Sequence, residues 1–215
     1  FYPSYGDTYP LFNGSIGMTY EQAGHSRGGL AIEVNDDTLT LFDRIEHHYA
    51  TSVSTIQMAA MHYKELNRSF KSYFENNKKN GAGPYKCFVL KSANTKKSAS
   101  LIEFFNKNNI KYATIKKGQH IKGVSYESGK EEPYVSAQGD LLISTFQPKG
   151  SLVKVLFEPQ SKLSDSVTYD ITAWSLPYVF GIDGFAMKDL VQSELIETRP
   201  NSNLQQVETN QLADK

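Results

Sequence analysis

The stretch Tyr85–Lys116, YKCFVLKSANTKKSASLIEFFNKNNIKYATIK, decides the fold class. YKCFVLK is a continuous apolar run of strand length, and IKYATIK is a second. Between them, TKKSASLIEFFNKNN carries apolar residues at helical spacing, with Thr95 placed to cap it. Strand, helix, strand with short connections predicts a parallel β-α-β unit. Downstream, DLLISTF reads as a further buried strand, Pro148-Lys149-Gly150 as a turn and SLVKVLFE as a short helix. The polar residues between Lys117 and Pro133 read as an excursion. Residues 85–187 are therefore expected to form a small α/β domain whose helices cover a mainly parallel sheet.

Upstream of this stretch, ENNKKNGAGP stops whatever precedes it, because Asn, Gly and Pro end helices. What precedes it is a long amphipathic stripe. Leu39, Phe42, Ile45, Tyr49, Val53, Ile56, Ala60, Tyr63, Leu66, Phe70 and Phe74 recur at spacings of three and four, which predicts a helix of roughly ten turns. Thr40 and Asp43 have the spacing of a capping box, and Asp36 and Asp37 suit the same positive helix end. Residues 1–80 thus form a first part. From Lys188 the chain turns polar, and NSNLQQVETNQ has the composition of a surface tail over 188–215.

Composition narrows the function classes. The chain has 215 residues, room for one large domain or two small ones. Lys plus Arg equals Asp plus Glu at 23 each, so no net basic charge points to a nucleic-acid partner. No apolar run approaches the ~20 residues that span a bilayer. A single cysteine, Cys87, excludes an intramolecular disulfide and a cysteine-based zinc site. The chain opens Phe1-Tyr2-Pro3, in dense aromatic sequence without a signal segment, and reads as a piece of a longer protein.

The first part holds an unusual carboxylate. In GSIGMTYEQAGHSRGG, Gly14–Gly29, the residues Ile16, Met18 and Tyr20 alternate with Gly17 and Thr19 as on a half-buried strand, and Glu21 follows. GGLAIEVN gives a second short strand after the glycine-rich turn. Glu21 is either half of a structural ion pair, with Arg27 as the nearest candidate, or a catalytic carboxylate delivered by a rigid strand.

FYPSYGDTYPLFNGSIGMTYEQAGHSRGG resembles the end of the catalytic domain of zinc carboxypeptidases of the carboxypeptidase A type, in a bacterial branch of that family. Thr19-Tyr20-Glu21 matches the T-[FY]-E strand end that supplies the family's catalytic glutamate. QPKGSLVKVLFEP and SVTYDITAWSLPYVFG resemble a segment found in such bacterial members, in a domain similar to class I glutamine amidotransferases. The resemblance reaches about Phe185. It implies the end of a carboxypeptidase-type α/β domain with a long helix, then a small flavodoxin-like, amidotransferase-like domain. It implies a parent enzyme that removes C-terminal residues from peptides with zinc as cofactor, located in the periplasm or outside the cell. Glu21 would be its general base. Tyr2, with Tyr5 as the alternative, would be the tyrosine that covers the substrate, and Asp7 a pocket-lining residue able to select basic side chains. As surface features, Tyr2 and Tyr5 are ordinary aromatics, and Asp7 after Gly6 is an ordinary turn residue.

The metal ligands of that family, an H-x-x-E pair and a later His, precede the catalytic glutamate and are not in this chain. The partner they imply is the upstream part of the same catalytic domain. His62-Tyr63-Lys64-Glu65 spells H-x-x-E, but it follows Glu21 and lies in the long helix, and the only later histidine is His120. His47 and His48 are neighbours on a helix and point apart, and His25 reads as a loop residue. The second part lacks an amidase's machinery. Cys87 sits in an apolar run without the flanking glycines of a nucleophile elbow, so it reads as a buried thiol. NGAGP lacks the Lys-Ser/Thr of a phosphate loop. Tyr169, Trp174 and Tyr178 have rings able to stack on a ligand, and read first as residues packing this domain's core or its contact with the first part. The alternative to the peptidase reading is a binding or scaffold module whose parent has no working zinc site. A weaker third reading is an amidase using Cys87.

Overall fold

The computed structural model describes residues 3, 5–21, 31–34, 37–92, 95–161 and 175–194. The chain divides into two compact units within one helix, between Tyr73 and Phe74. Among the described residues no helix is long and apolar enough to cross a membrane.

In the first unit a 3₁₀ helix, Tyr9–Asn13, opens on Pro10 and closes on Gly14, whose φ of 78° lies in the left-handed region open to glycine. A two-stranded antiparallel hairpin follows, β1 (Ala31–Val34) with β2 (Asp37–Thr40). Thr40 then caps helix α1 (Leu41–Met61). The capping box is complete: Asp43 N donates to Thr40 Oγ1 at 3.2 Å, and Thr40 N donates to Asp43 Oδ2 at 2.9 Å. Hydrogen bonds onto the Asp43 carboxylate, first from the Thr40 hydroxyl and then from the Thr40 backbone N–H, hold it below its ordinary pKa. The expected long helix is present in two pieces. It breaks at His62 (φ −105°, ψ 18°), where its second part, α2 (Tyr63–Asn80), begins. Asp36 lies outside the described residues, and Leu39 belongs to β2 rather than to the helix.

The stripe that predicted the helix is largely uncovered. Phe42, Ile45, Tyr49, Ile56 and Tyr63 are exposed, from 53 % to 69 %. An amphipathic helix draws most of its stability from packing that face, and few of the described residues of this unit are buried.

The second unit holds a seven-stranded sheet in the order β6-β5-β8-β3-β7-β4-β9. Its strands are β3 (Cys87–Leu90), β4 (Ala113–Ile115), β5 (His120–Ser125), β6 (Glu131–Val135), β7 (Leu141–Ser144), β8 (Gly184–Met187) and β9 (Ser193–Glu194). The helices are α3 (Thr95–Lys107), α4 (Gly150–Phe157) and α5 (Leu176–Phe180). The mixed α/β class matches the expectation, and so do the strands at 87–90, 113–115 and 141–144. The mainly parallel sheet is corrected: every pair is antiparallel. Crossover through α3 does return the chain in the original direction, so β3 and β4 run the same way. They do not pair, because β7 lies between them, antiparallel to both. An antiparallel sheet also departs from the doubly wound parallel order of a flavodoxin-like domain.

Two further expectations change. The supposed excursion after Lys117 is the hairpin β5–β6, and β8, unread in the sequence, is an interior strand between β5 and β3. The polar region from Lys188 contributes the edge strand β9, and residues beyond 194 lie outside the described ones. At the other edge, Ser125 N donates to Lys130 O and Ser136 N to Gln119 O, which fixes the pairing parity of β5 and β6. Pro133 therefore turns its nitrogen away from β5, toward the open edge, where a proline offers no donor to a further strand.

Helices and sheet share an aromatic core. Phe157 of α4 stacks on Phe88 at 5.4 Å and meets Phe105 of α3 at 5.8 Å, and all three are fully buried. A second apolar cluster joins Cys87, Val89, Ile115, Leu142, Phe185 and Met187, with Ile121 and Tyr134 against it. Among the described residues of this unit, the buried side-chain polar atoms have hydrogen-bond partners. Asp140 accepts from Ser92 N, Tyr134 Oη and Ala137 N at 3.2, 2.7 and 2.8 Å. Burial, reinforced by that carboxylate, pushes the Tyr134 phenol up to about 12.

Candidate functional site

After Gly14 the chain runs from Ser15 to Glu21 without regular secondary structure. The half-buried strand expected here is therefore corrected. A strand exists only where a neighbour pairs its backbone, and no described strand pairs with 15–21. Its apolar residues are not in a core either: Ile16, Met18 and Tyr20 are 60 %, 52 % and 41 % exposed.

Side chains fix this segment instead. Thr19 Oγ1 donates to Asp7 Oδ2 at 2.8 Å. The backbone of Asp7 also presses on Gly17, where an added Cβ would overlap the Asp7 carbonyl oxygen. Tyr20 reaches α1, its hydroxyl 2.7 Å from Thr55 Oγ1. Thr55 Oγ1 also lies 2.7 Å from the Thr51 carbonyl, and the Tyr20 hydroxyl 2.9 Å from Met18 Sδ. Glu21 comes next. It is exposed and, among the described residues, has no partner. Arg27, its candidate ion-pair partner, lies outside the described residues, as do Tyr2 and His25.

Between this segment and the two helices lies an open groove of about 1120 Å³. Ile16, Met18, Tyr20, Met58, Leu66 and Phe70 give it an apolar lining, with His62 and Glu65 at its polar part. Glu21 does not line it. Tyr5 is 39 % exposed, and its carbonyl accepts from Tyr9 N at 2.9 Å. Of the residues singled out in the sequence, the structure brings together Asp7 and the Thr19-Tyr20-Glu21 motif.

His62 Nδ1 lies 3.4 Å from Glu65 Oε2, both side chains open to solvent. This is a surface pair at a helix break. The carbonyls of His47 and His48 both accept from Thr51 Oγ1, at 2.9 and 3.1 Å. His120 begins β5 in the second unit. Among the described residues no three His, Cys, Asp or Glu side chains converge as a metal site, so this chain's described donors do not make up a zinc centre.

Cys87 is 1 % exposed, and its thiol donates to the Asp189 carbonyl at 3.4 Å. Burial pushes its pKa up to about 11, opposite to what a nucleophile needs. Tyr178 packs edge-on against Tyr126 at 5.6 Å, whose hydroxyl donates to the Phe157 carbonyl at 2.5 Å. Tyr169 and Trp174 lie outside the described residues. Thr55 and Gly17 escaped the sequence reading. A helical threonine and a glycine in an apolar run carry no local mark of a contact made across the fold.

Comparison of the chain with family models, curated proteins and solved structures returns no match.

Proposed function

We infer that this chain is the C-terminal part of a zinc carboxypeptidase-like enzyme that removes C-terminal residues from peptides, with Glu21 as its general base. The observation that carries the reading is Glu21 itself: a solvent-open carboxylate ending a Thr-Tyr-Glu segment that is pinned at Thr19 and Tyr20. A carboxylate so held accepts a proton from the attacking water and returns it to the leaving amine, a role worth roughly 10²–10⁴-fold in rate. Zinc, on this reading, belongs to the parent and is held by its upstream residues. Tyr2 or Tyr5 would cover the substrate, and the parent would act in the periplasm or outside the cell. The uncovered stripe of Phe42, Ile45, Tyr49 and Ile56 along one face of α1 supports it. Contiguous apolar surface marks an interaction site, and the upstream residues of the same catalytic domain are the partner that the resemblance implies. The second unit would then be an accessory domain.

A non-catalytic binding module is the second reading, favoured by the apolar groove beside the segment. Glu21→Gln in the full-length parent separates the two. The amide keeps the shape and removes the base, so kcat should fall about 10²-fold or more, with zinc content and melting temperature unmoved. A variant that melts several degrees lower and still turns over peptide at the parent rate makes Glu21 an ion-pair residue and ends the peptidase reading.

A further inference from the structure

We propose that Asp7 is a positioning residue for Glu21, holding the segment that carries it through Thr19, rather than a residue that reads the substrate's side chain. The inference rests on the assignment of Glu21 as the base.

Three contacts lead to it. The Asp7 carboxylate is engaged inside the chain, accepting from the Thr19 hydroxyl at 2.8 Å, two residues before Glu21. The Asp7 carbonyl fills the space over Gly17, so backbone and side chain of one residue grip the segment at two points. Tyr20, between Thr19 and Glu21, is tied to Thr55 on α1. Residues 15–21 have no strand ladder to hold them. Among the described residues these side-chain contacts hold the segment, and the one at Thr19 runs through Asp7. A general base must stand within hydrogen-bond reach of the proton it takes, and a displacement of about 1 Å can cost as much as 10²-fold.

The test uses three variants of the full-length parent, assayed on peptides ending in basic and in neutral residues. Asp7→Ala removes the acceptor. Thr19→Val removes the donor while keeping the shape. Asp7→Asn keeps an acceptor oxygen and loses the charge. Asp7→Ala and Thr19→Val should each lower kcat by about tenfold or more on every peptide, with KM unmoved. Asp7→Asn should recover most of that loss. In the 215-residue chain itself, the backbone order parameters of residues 17–21 should fall below about 0.6 in the first two variants and stay near the rigid value of about 0.85 in Asp7→Asn.

Parent-like kcat in either Asp7→Ala or Thr19→Val overturns the proposal. So does a rise in KM confined to peptides with basic ends, shared by Asp7→Ala and Asp7→Asn, which makes Asp7 a side-chain reader. Unchanged order parameters in Asp7→Ala overturn it without reference to activity. Glu21→Gln, run alongside, fails separately: parent-rate turnover there sinks the assignment of the base and leaves the order-parameter result standing on its own.

Discussion

Asn77 Nδ2 donates to the Pro148 carbonyl at 3.1 Å, joining residues 71 apart in the chain. Its Oδ1 accepts from Ser151 Oγ at 3.0 Å, so both ends of one buried amide are used. The last turns of α2 are therefore stapled to the β7–α4 connection. The glycine-proline linker at 81–84 marks where the helix ends, but the second unit begins before it, at Phe74.

Removing that amide should destabilise the second unit. Asn77→Ala strands the Pro148 carbonyl and the Ser151 hydroxyl, at about 1–3 kcal/mol. Lys78→Ala, one residue on at an exposed position, should stay within about 0.5 kcal/mol. Urea denaturation of both variants checks this, and equal midpoints would show that Asn77 contributes nothing to the unit.

Cys87 should resist thiol reagents in the native state. With its pKa raised to about 11, thiolate is scarce at neutral pH, and the side chain is 1 % exposed. Labelling at pH 7.5 should be slow until denaturant is added, then fast. Complete native labelling within seconds would restore the amidase reading.

The Glu131 carboxyl is held below its ordinary value, first by the hydrogen bond from Lys188 Nζ at 2.7 Å and then by Lys122 at 3.1 Å. A folded pKa below the unfolded one means stability present above the unfolded value, near 4.5, and lost as pH falls through the folded value. The difference in melting temperature between the parent chain and Glu131→Gln should therefore be visible at pH 6–7 and vanish in acid. It should also shrink with added salt, because these groups face water. A difference that persists at pH 2 would assign the effect to packing instead.

Much of the local structure was legible. Thr40 and Asp43 announce a helix start because a cap is a contact between near neighbours. Cys87 announces burial because its run has no polar face. The helix α3 and the strands beside it follow from period alone. What escaped was the company each element keeps. β8 is four small and apolar residues with no flanking strand signal, yet it sits inside the sheet because β3 and β5 both pair with it. β5 and β6 looked polar because one side of that hairpin faces water.

At the site, the motif Thr19-Tyr20-Glu21 was visible in sequence, and its setting was not. A hydroxyl has no sequence signature for the acceptor it will find, so Asp7 with Thr19, and Tyr20 with Thr55, emerge only when distant parts of the chain are brought together. The sequence alone determined the helices α1, α2 and α3, the strands β3, β4 and β7, the capped start of α1, and which thiol is sealed away, since propensity, period and capping act over a few residues. Only the tertiary structure decided that the sheet is antiparallel, that β7 separates two co-directional strands, and that an exposed, unpaired segment carries Glu21. Those outcomes depend on which backbone edges meet, and that competition is settled between residues far apart in the chain.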